Sequence, residues 1–316
     1  MMDSKTFIVT GGNSGLGYQC AKNIALTNSD YHVVIACRNL IKAANAVKQL
    51  INETQNKNIH SLELDLASLD SIRQFCKVFI KSNLPPLYAL VCNAGVGGFD
   101  STQLTKDGFK LIFGVNHLGH FLLANLLLRN LLDNGRIVFV SSDMHNPPKF
   151  MASNFGYTSA KEIAFPKTNN SEENKSHNHA QYPISKLCNI YCTYEMATRI
   201  KGETTTQITV NAFNPGFMED TSFSGDSKTL LPSIARFVAP IIALLLGVKS
   251  TSIKSGKLLA LLVTSPNYEG VSGKYFDRDK EIKSSELSYS KENAKDLWNT
   301  SIELANIQQN ETILSV

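Results

Sequence analysis

Tyr182 and Lys186 are the residues whose types and spacing most clearly suggest chemistry. They belong to the run Tyr-Pro-Ile-Ser-Lys and are four residues apart, so on a helix their side chains share one face. Pro183 suits the first turn of such a helix, where its missing N–H is not needed. A phenol with its usual pKa of about 10 is a poor acid–base catalyst at neutral pH, and a neighbouring ammonium favours the phenolate. The spacing therefore predicts a proton-transfer pair, although a surface Tyr and Lys can also share a helix face by chance.

Three further polar residues could take part in the same chemistry. Ser141 and Ser142 follow an apolar run at 136–140, which predicts that they lie at the carboxyl end of a buried strand. Ligands bind at that edge in open α/β sheets, and the residues alone leave either serine as a catalytic hydroxyl. Asn116 lies in an apolar segment at 105–132, predicted to form one long helix, where its amide must find hydrogen bonds or cost about 1–3 kcal/mol.

The start of the chain predicts where a phosphate group would bind. An apolar run at 7–9 is typical of a buried strand, and a glycine-rich turn leads from it to an apolar-periodic helix over about 16–26. Glycines allow a sharp turn and a close backbone approach, and the N–H groups at the helix start attract negative charge. We therefore predict a dinucleotide-binding loop, rather than a turn that needs glycine only for steric reasons. Its binding residues would be Gly11, Asn13, Ser14, Gly15, Leu16 and Gly17.

Strand and helix patterns alternate along the rest of the chain. Further strands are predicted at 32–36, 61–65, 88–92, 208–213 and 273–276, and further helices at 41–52, from 182 onward, at 252–263 and at 291–305. This alternation predicts an α/β fold, a Rossmann-type doubly wound parallel sheet in a single domain over residues 1–316. The tail after about residue 305 is polar and is expected to be frayed.

Composition and charge exclude several other classes of protein. A net charge of +4 is too small and scattered for a nucleic-acid partner, and six cysteines without a CxxC pair indicate buried thiols. His117 and His120 lack a third ligand at metal-binding spacing, so they are expected to pack or cap rather than bind a metal. The first residues lead straight into the first predicted strand, so we expect no signal peptide, and the longest apolar run, 237–248, is too short to cross a bilayer. The sequence therefore predicts a reduced, cytoplasmic protein without a transmembrane segment.

Four motifs occur in a fixed order along the chain. They are Thr-Gly-x-x-x-Gly-x-Gly from Thr10, then Asn93-Ala94-Gly95, then Ser141-Ser142, then Tyr182 with Lys186. In this combination the chain resembles the short-chain dehydrogenase/reductase family over about residues 6–305. The resemblance implies hydride transfer between a nicotinamide cofactor and a carbonyl or alcohol group, with Ser142 as the catalytic hydroxyl. It also implies that Asn116 holds a water of a proton relay and that Lys186 hydrogen-bonds the nicotinamide ribose.

The same resemblance implies further cofactor contacts. Asp65 would lie beside the adenine amino group, although it could also cap the helix that starts near residue 68. Pro215 and Gly216 would pass the nicotinamide, and Thr221 would hold its carboxamide. With the acid–base pair, the implied contacts outside the glycine loop are Asp65, Leu66, Asn93, Ala94, Gly95, Tyr182, Lys186, Pro215, Gly216 and Thr221.

The end of the second predicted strand bears on the choice of cofactor. In a Rossmann half this strand end faces the adenosine ribose, where an acidic side chain would bind a free 2′-hydroxyl. This chain has Cys37 there, and Arg38 follows with a guanidinium suited to a phosphate. The pair favours NADP(H) over NAD(H), unless Arg38 is only a solvated charge. Many NADP(H)-dependent family members also carry a basic residue where this chain has Ser14, so NADH could compete.

Within the family, three stretches are most similar to the branch of protochlorophyllide reductase, retinol dehydrogenases and the WW-domain oxidoreductase. They are 107–121, 185–189 and 290–298. The branch allows dark, NADPH-dependent carbonyl or alcohol chemistry, or light-driven reduction of protochlorophyllide. Gly95 and Phe217 depart from the usual pattern of the light-driven enzyme, which favours the dark reaction. A non-catalytic cofactor-binding regulator is a third alternative, against which the intact Ser, Tyr and Lys argue.

Two segments are expected to shape the substrate pocket. The polar stretch 143–180 has little periodicity and is predicted to be a loop insertion at the pocket rim. The apolar stretch 217–250 is predicted to be a substrate lid, which implies a lipophilic small-molecule substrate. On composition alone, residues 237–248 could instead contact a membrane surface or a second copy in a homo-oligomer.

Overall fold

A computed structural model of the chain describes residues 4–97, 103–147, 155–166, 180–218 and 249–316. An eight-stranded sheet forms its centre, and a separate two-stranded pair, β7 and β8, joins the two ends of the predicted lid. In chain order the strands are β1 Thr6–Thr10, β2 His32–Cys37, β3 Ile59–Glu63, β4 Leu87–Cys92, β5 Leu131–Val140, β6 Thr209–Asn214, β7 Phe217–Met218, β8 Lys249–Ser250, β9 Lys274–Asp277 and β10 Lys280–Ile282.

The strand order of the large sheet is β10-β9-β6-β5-β4-β1-β2-β3, and every neighbouring pair is parallel except β9 and β10. The chain order therefore reverses at β1, which pairs with both β2 and β4. At such a switch point the carboxyl ends of the strands leave a crevice in which ligands bind. The predicted fold class is confirmed, and β10 is an antiparallel edge strand that the sequence analysis missed.

Helices cover both faces of the sheet, which is why the central strands are apolar throughout. The helices are α1 Gly15–Thr27, α2 Leu40–Thr54, α3 Leu69–Lys81, α4 Leu111–Asn130, α5 Ala160–Ala164, α6 Gln181–Glu203, α7 Ser252–Thr264 and α8 Lys291–Leu304. Short 3₁₀ turns form at Asp143–His145, Pro266–Tyr268 and Glu286–Tyr289. Phe7 and Val9 pack with α1, α2 and α7, whereas Ile8 packs on the opposite face with α3, α4, α6 and α8.

The helix predicted over 105–132 is shorter than expected at both ends. Thr105 to Lys110 form a turn instead, in which Gly108 has φ +85° and the Thr105 hydroxyl accepts the N–H of Phe109. Such a side-chain bond competes with helix formation, so α4 begins only at Leu111. The run Leu111–Asn130 contains a π-helical segment, Gly114–Leu118. It is the one described helix long and apolar enough to cross a membrane, yet 89% of its apolar window is buried inside the fold.

The predicted frayed tail is wrong. After α8 the chain turns back over the ends of α3 and α4, and Ile307, Thr312 and Leu314 are buried. Arg73 of α3 donates to the carbonyl oxygens of residues 305 and 306 and forms an ion pair with Glu311. The tail was misread because its few apolar side chains are spaced for docking on other helices, not for a helix of their own.

The predicted loop insertion is partly helical where the structure describes it. Ala160–Ala164 forms α5, and Asp296 of α8 accepts hydrogen bonds from the hydroxyl of Tyr157 at 2.7 Å and the N–H of Ala160 at 2.8 Å. The carbonyl oxygen of Ala164 accepts from the N–H of Lys110. This part is therefore anchored to two neighbouring segments. Residues 148–154 and 167–179 of the insertion, and 219–248 of the predicted lid, lie outside the described residues.

Candidate active site

The glycine loop joins β1 to α1 at the switch point. Gly11 has φ +65°, and a Cβ on Gly17 would lie 2.5 Å from both the carbonyl oxygen of Gly11 and the side-chain nitrogen of Asn93. Only glycine fits this close approach without a shift of the backbone. Ser14 precedes α1 but makes no side-chain capping bond, whereas α2, α3 and α8 each have one. The first N–H groups of α1 can therefore face an anion, as a pyrophosphate-binding loop requires.

The Asn93–Ala94 turn is fixed against the same loop. The side chain of Asn93 donates to the carbonyl oxygen of Thr10 at 2.8 Å, and the N–H groups of Asn93 and Ala94 both donate to the Thr10 hydroxyl at 2.9 Å. A Cβ on Gly95 would lie 3.2 Å from Oδ1 of Asn116 and 3.7 Å from Nζ of Lys186. The turn thus connects the glycine loop to the acid–base residues. Of the residues that hold it, Thr10 was not a predicted site residue, although a hydroxyl at the end of a buried strand must find partners.

The predicted ribose-binding end lies at the carboxyl ends of β2 and β3. Arg38 is exposed, and no acidic side chain in the described part of the chain pairs with it. Cys37 is buried, so an apolar thiol lies where an acidic side chain would bind a free ribose 2′-hydroxyl. Asp65 accepts the N–H of Ala67 and forms an ion pair of 3.0 Å with Lys106. It lies two residues beyond β3, and Ser68 rather than Asp65 caps α3.

Leu66 is buried, and its carbonyl oxygen would be only 2.7 Å from a Cβ on Gly119. This close approach places the backbone of Leu66 against α4. Pro215 and Gly216 follow β6 directly, and the side chain of Asn214 accepts the N–H of Gly216 at 3.0 Å. Thr221, the predicted carboxamide ligand, lies outside the described residues.

Tyr182, Lys186 and Ser142 come together at the carboxyl end of β5. The Lys186 ammonium is buried, donates to the carbonyl oxygen of Val140 at 3.0 Å and lies 5.5 Å from the centroid of the Tyr182 ring. The Ser142 hydroxyl interacts with the Tyr182 phenol and lowers its pKa, and it donates to Oδ1 of Asp143 at 2.9 Å. Ser141 instead is buried and donates to the carbonyl oxygen of Lys186 at 2.8 Å. Of the two serines, only Ser142 therefore faces the phenol.

Burial acts on the two titrating groups of this cluster in opposite directions. It raises the pKa of Tyr182, which the interaction with Ser142 lowers and the Asp143 carboxylate raises again. It lowers the pKa of Lys186 to about 8. The sequence led us to expect that the ammonium would lower the phenol pKa, but in this structure burial has the largest effect on that pKa and raises it. The phenol is therefore protonated at neutral pH, which is the form that donates a proton.

Asn116 lies in the π-helical segment of α4 and is fully buried. Its Oδ1 accepts the N–H of Val96 at 2.7 Å, and its Nδ2 donates to the carbonyl oxygen of Val96 at 2.9 Å and to the Ser185 hydroxyl at 3.0 Å. Ser185 in turn donates to the carbonyl oxygen of Tyr182 at 2.8 Å. The amide thus braces the start of α6 against the segment after the Asn93–Ala94 turn. Its role in a water relay stays a prediction.

Two histidines near the site have structural partners. Nε2 of His117 lies 3.0 Å from the Ser301 hydroxyl, and the ring of His120 bridges Thr10 and the carbonyl oxygen of Asn116. Among the described residues no group of three potential metal ligands forms. His145, which the sequence analysis did not identify, contacts the carbonyl oxygen of Ser142 through Nδ1 at 2.6 Å and accepts the N–H of residue 285. It fixes the strand end that carries Ser142.

Replacing Lys186 by methionine is expected to abolish turnover without destabilising the fold. A pKa near 8, against about 10.4 for a free lysine, means that holding the charge costs about 3 kcal/mol at pH 7. Urea unfolding at pH 7 should show Lys186→Met at least as stable as the wild type. The difference in free energy of unfolding between Lys186→Met and the wild type should shrink as pH rises from 8 towards 10. In that range the native wild type has lost the Lys186 proton, whereas the unfolded chain still binds it.

Lys201→Met, an exposed lysine of the same helix, is the matched control and should change little at either pH. A large loss of stability in Lys186→Met at pH 7 would contradict the inference that the buried Lys186 ammonium destabilises the native state.

Three known proteins with similar sequences cover most of this chain. Retinol dehydrogenase 14 of Mus musculus is 35% identical over 314 residues, 95% of this chain and 86% of that protein. Polyprenol dehydrogenase of Homo sapiens is 33% identical, with 95% and 84% covered. The WW domain-containing oxidoreductase of Homo sapiens is 34% identical, with 93% and 66% covered. These relatives confirm the predicted resemblance.

Structural similarity extends over the same core. A blue fluorescent protein from a metagenomic library, solved in complex with NADPH, superposes with a TM-score of 0.62 at 20% identity. The match covers 88% of this chain and 97% of that one, and it shows a shared fold. The family model for short chain dehydrogenases matches residues 5–164, from β1 through α5. With the relatives above, that match establishes that the chain belongs to the short-chain dehydrogenase family of oxidoreductases.

Proposed function

We propose that this protein is an NADP(H)-dependent oxidoreductase that reduces a carbonyl group of a lipophilic small molecule, or oxidises the corresponding alcohol. The observation that carries the proposal is the approach of Ser142, Tyr182 and Lys186 at the end of β5. This cluster lies on the same sheet edge as the glycine loop, where a dinucleotide would bind. An acid–base group within reach of a nucleotide loop is what hydride transfer to a carbonyl needs.

In this mechanism the bound nicotinamide would supply or accept the hydride at the substrate carbon. The Tyr182 phenol donates a proton to the substrate oxygen in the reductive direction and takes it back in the oxidative one. Ser142 hydrogen-bonds that oxygen and keeps it within reach of the phenol. The buried Lys186 ammonium favours the phenolate once the proton has left. The glycine loop would hold the pyrophosphate, because its backbone allows a close approach and α1 begins without a capping side chain.

A preference for NADP(H) is part of the proposal and depends on Arg38. Arg38→Ala is expected to weaken NADPH binding about 10–100-fold, because a charge-assisted bond to the 2′-phosphate is worth about 1.5–3 kcal/mol. NADH binding should stay nearly unchanged, since NADH lacks that phosphate. Titration of both cofactors by fluorescence measures the two effects. Lys48→Ala, an exposed charge further along α2, controls for general electrostatics, and equal losses for both cofactors would make Arg38 a structural residue.

The lipophilic substrate class is supported by the names of two relatives, a retinol and a polyprenol dehydrogenase, and by the apolar composition of 217–250. We expect kcat/KM to rise along a series of aldehydes of growing alkyl length. Substrate binding under an apolar cover is stabilised by about 25 cal/mol for each Å² of apolar area that it buries. A small polar carbonyl compound buries little such area and is stabilised little. Phe237→Ser or Ile241→Ser should flatten the rise with little effect on NADPH affinity. Ile80→Ser, an exposed apolar residue near the end of α3, is the control.

One assay tests the proposed function as a whole. A panel of lipophilic aldehydes and ketones, small polar hydroxy acids and sugars, and protochlorophyllide is assayed with NADPH in darkness and under illumination. The proposal expects dark turnover that favours the lipophilic carbonyls. Turnover only of protochlorophyllide and only in light would select the light-driven alternative, and cofactor binding without any turnover would select the regulator. A cytoplasmic location, a homo-oligomer and a membrane-surface contact through 237–248 stay predictions.

A further inference from the structure

The hydroxyl of Thr10, at the carboxyl end of β1, has hydrogen bonds whose directions can be assigned. Its oxygen accepts the N–H groups of Asn93 and Ala94, each at 2.9 Å. Both lone pairs are then used, so the hydroxyl can act only as a donor towards a third partner. Nε2 of His120 lies 2.9 Å away, nearer than the carbonyl oxygen of Val91 at 3.3 Å. Thr10 therefore donates to Nε2 of His120.

The other ring nitrogen of His120 fixes its protonation. Nδ1 lies 3.1 Å from the carbonyl oxygen of Asn116, which can only accept, so Nδ1 carries the hydrogen. A neutral imidazole with Nδ1–H satisfies both contacts, and no other form does. Burial lowers the pKa of His120 to about 4, opposed by the bond to Asn116 and assisted by the charge of Lys186. The ring is therefore neutral at pH 7 in a single tautomer.

This ring joins the two halves of the candidate active site. On the Thr10 side it supports the hydroxyl that holds the Asn93–Ala94 turn. On the Asn116 side it holds the backbone of the residue whose amide braces Ser185 and the start of α6. His120 is fully buried, so it acts through these neighbours.

We propose that His120 is a positioning residue whose neutral, Nδ1–H imidazole sets the spacing between the cofactor-binding Asn93–Ala94 turn and the acid–base residues Tyr182 and Lys186. The inference rests on the proposed function in one respect, that this turn contacts the bound dinucleotide. It assigns a role to a residue that the sequence analysis expected only to pack or cap.

His117 provides a matched control inside the same helix. It is buried as completely as His120, and its Nε2 also lies 3.0 Å from a hydroxyl. That hydroxyl belongs to Ser301 of α8, and the ring lies near Phe113 and Phe121 in the core. His117 also interacts with the side chain of Asn189 on α6, so it reports what the loss of a buried imidazole costs when its polar partners are Ser301 and Asn189 and not Thr10.

Two substitutions separate the two contacts of His120. In His120→Gln the side-chain amide oxygen can occupy the place of Nε2 and accept from Thr10, but the bond to Asn116 is lost. In His120→Asn the amide nitrogen can occupy the place of Nδ1 and donate to Asn116, but the bond from Thr10 is lost. His117→Gln and His117→Asn are the controls. For each variant we measure the melting temperature, the NADPH dissociation constant, and kcat and KM separately.

We expect His120→Asn to bind NADPH about tenfold more weakly, as the loss of one buried hydrogen bond allows. His120→Gln should keep its NADPH affinity within about threefold by the same reasoning and lose about tenfold in kcat. The His117 variants should melt at a lower temperature but keep the NADPH dissociation constant and the kcat of the wild type. If the His120 variants lose only thermal stability, as the His117 variants do, the positioning role is overturned.

Two measurements keep the inference testable if a His120 variant does not fold or if the proposed reaction is wrong. Thr10→Val removes the contact with His120 together with the acceptor of the Asn93 and Ala94 N–H groups, so it should weaken NADPH binding at least as much as His120→Asn does, while Thr10→Ser should keep the affinity of the wild type. NMR of ¹⁵N-labelled wild-type protein at pH 7 should show His120 with a protonated Nδ1 and an unprotonated Nε2. The opposite tautomer, or equal NADPH affinity in Thr10→Val and Thr10→Ser, would overturn the inference. Absence of carbonyl turnover in the wild type would overturn only the proposed function, because NADPH binding is measured without it.

Discussion

Replacing Tyr182 by phenylalanine is expected to lower kcat about 10²–10⁴-fold, the usual contribution of a general acid–base group. The phenol is protonated at neutral pH and interacts with Ser142. Without its hydroxyl the substrate oxygen has no proton donor, whereas the ring still fills its place on α6. Cofactor binding should be preserved, because the glycine loop and the Asn93–Ala94 turn are unaffected. Steady-state turnover and NADPH titration measure the two properties separately.

Tyr191→Phe, on the same helix, is the matched control for this experiment. Its hydroxyl is buried, donates to the carbonyl oxygen of Leu287 at 2.8 Å and accepts from the side chain of Asn293. Its removal should cost stability, about 1–3 kcal/mol, but not turnover. Near wild-type carbonyl reduction by Tyr182→Phe would show that another group supplies the proton, and the acid–base assignment would then be wrong.

Deleting residues 306–316 is expected to destabilise the fold by several kcal/mol, a large part of the roughly 5–15 kcal/mol that holds a domain folded. Ile307 and Leu314 are almost fully buried, and burial of each such side chain contributes about 1.5–3 kcal/mol. The deletion also exposes polar groups that the tail satisfies. Asn125 of α4 loses the hydroxyl of Thr312 at 3.0 Å, and Arg73 loses Glu311 and the carbonyl oxygen of residue 306.

A pair of point substitutions isolates this effect from that of a shorter chain. Leu314→Ala should lower the free energy of unfolding in urea by about 2–5 kcal/mol, as large-to-small changes in cores do. Val316→Ala, two residues later and half exposed, should change it by less than about 0.5 kcal/mol. Equal effects of the two would mean that the tail is held loosely, and the docked segment would then contribute little to stability.

Local patterns identified most elements of this protein because they are set by neighbours in sequence. The apolar runs predicted the parallel strands, since a strand covered on both faces must be apolar throughout. The glycines around Gly17 predicted the nucleotide loop, and the four-residue spacing of Tyr182 and Lys186 predicted that their side chains share a helix face. The predicted ends of the elements were less accurate. The turn at Gly108 and the hydrogen bond of the Thr105 hydroxyl delay the start of α4, and apolar periodicity does not reveal this.

By itself, then, the sequence determined the fold class, the family and the positions of the chemical motifs, because each depends on residue types at short spacing. The residue types alone did not decide between Ser141 and Ser142, although the family resemblance implied Ser142. The tertiary structure turns the Ser141 hydroxyl to the carbonyl oxygen of Lys186 and places Ser142 beside the phenol. Only the structure could place His120 between Thr10 and Asn116, because that bridge joins a strand end to a helix more than a hundred residues away. The docking of the tail had the same origin, since Leu314 and Thr312 find their partners on helices far back in the chain. Contacts of this kind arise from packing between distant elements, and no local pattern encodes them.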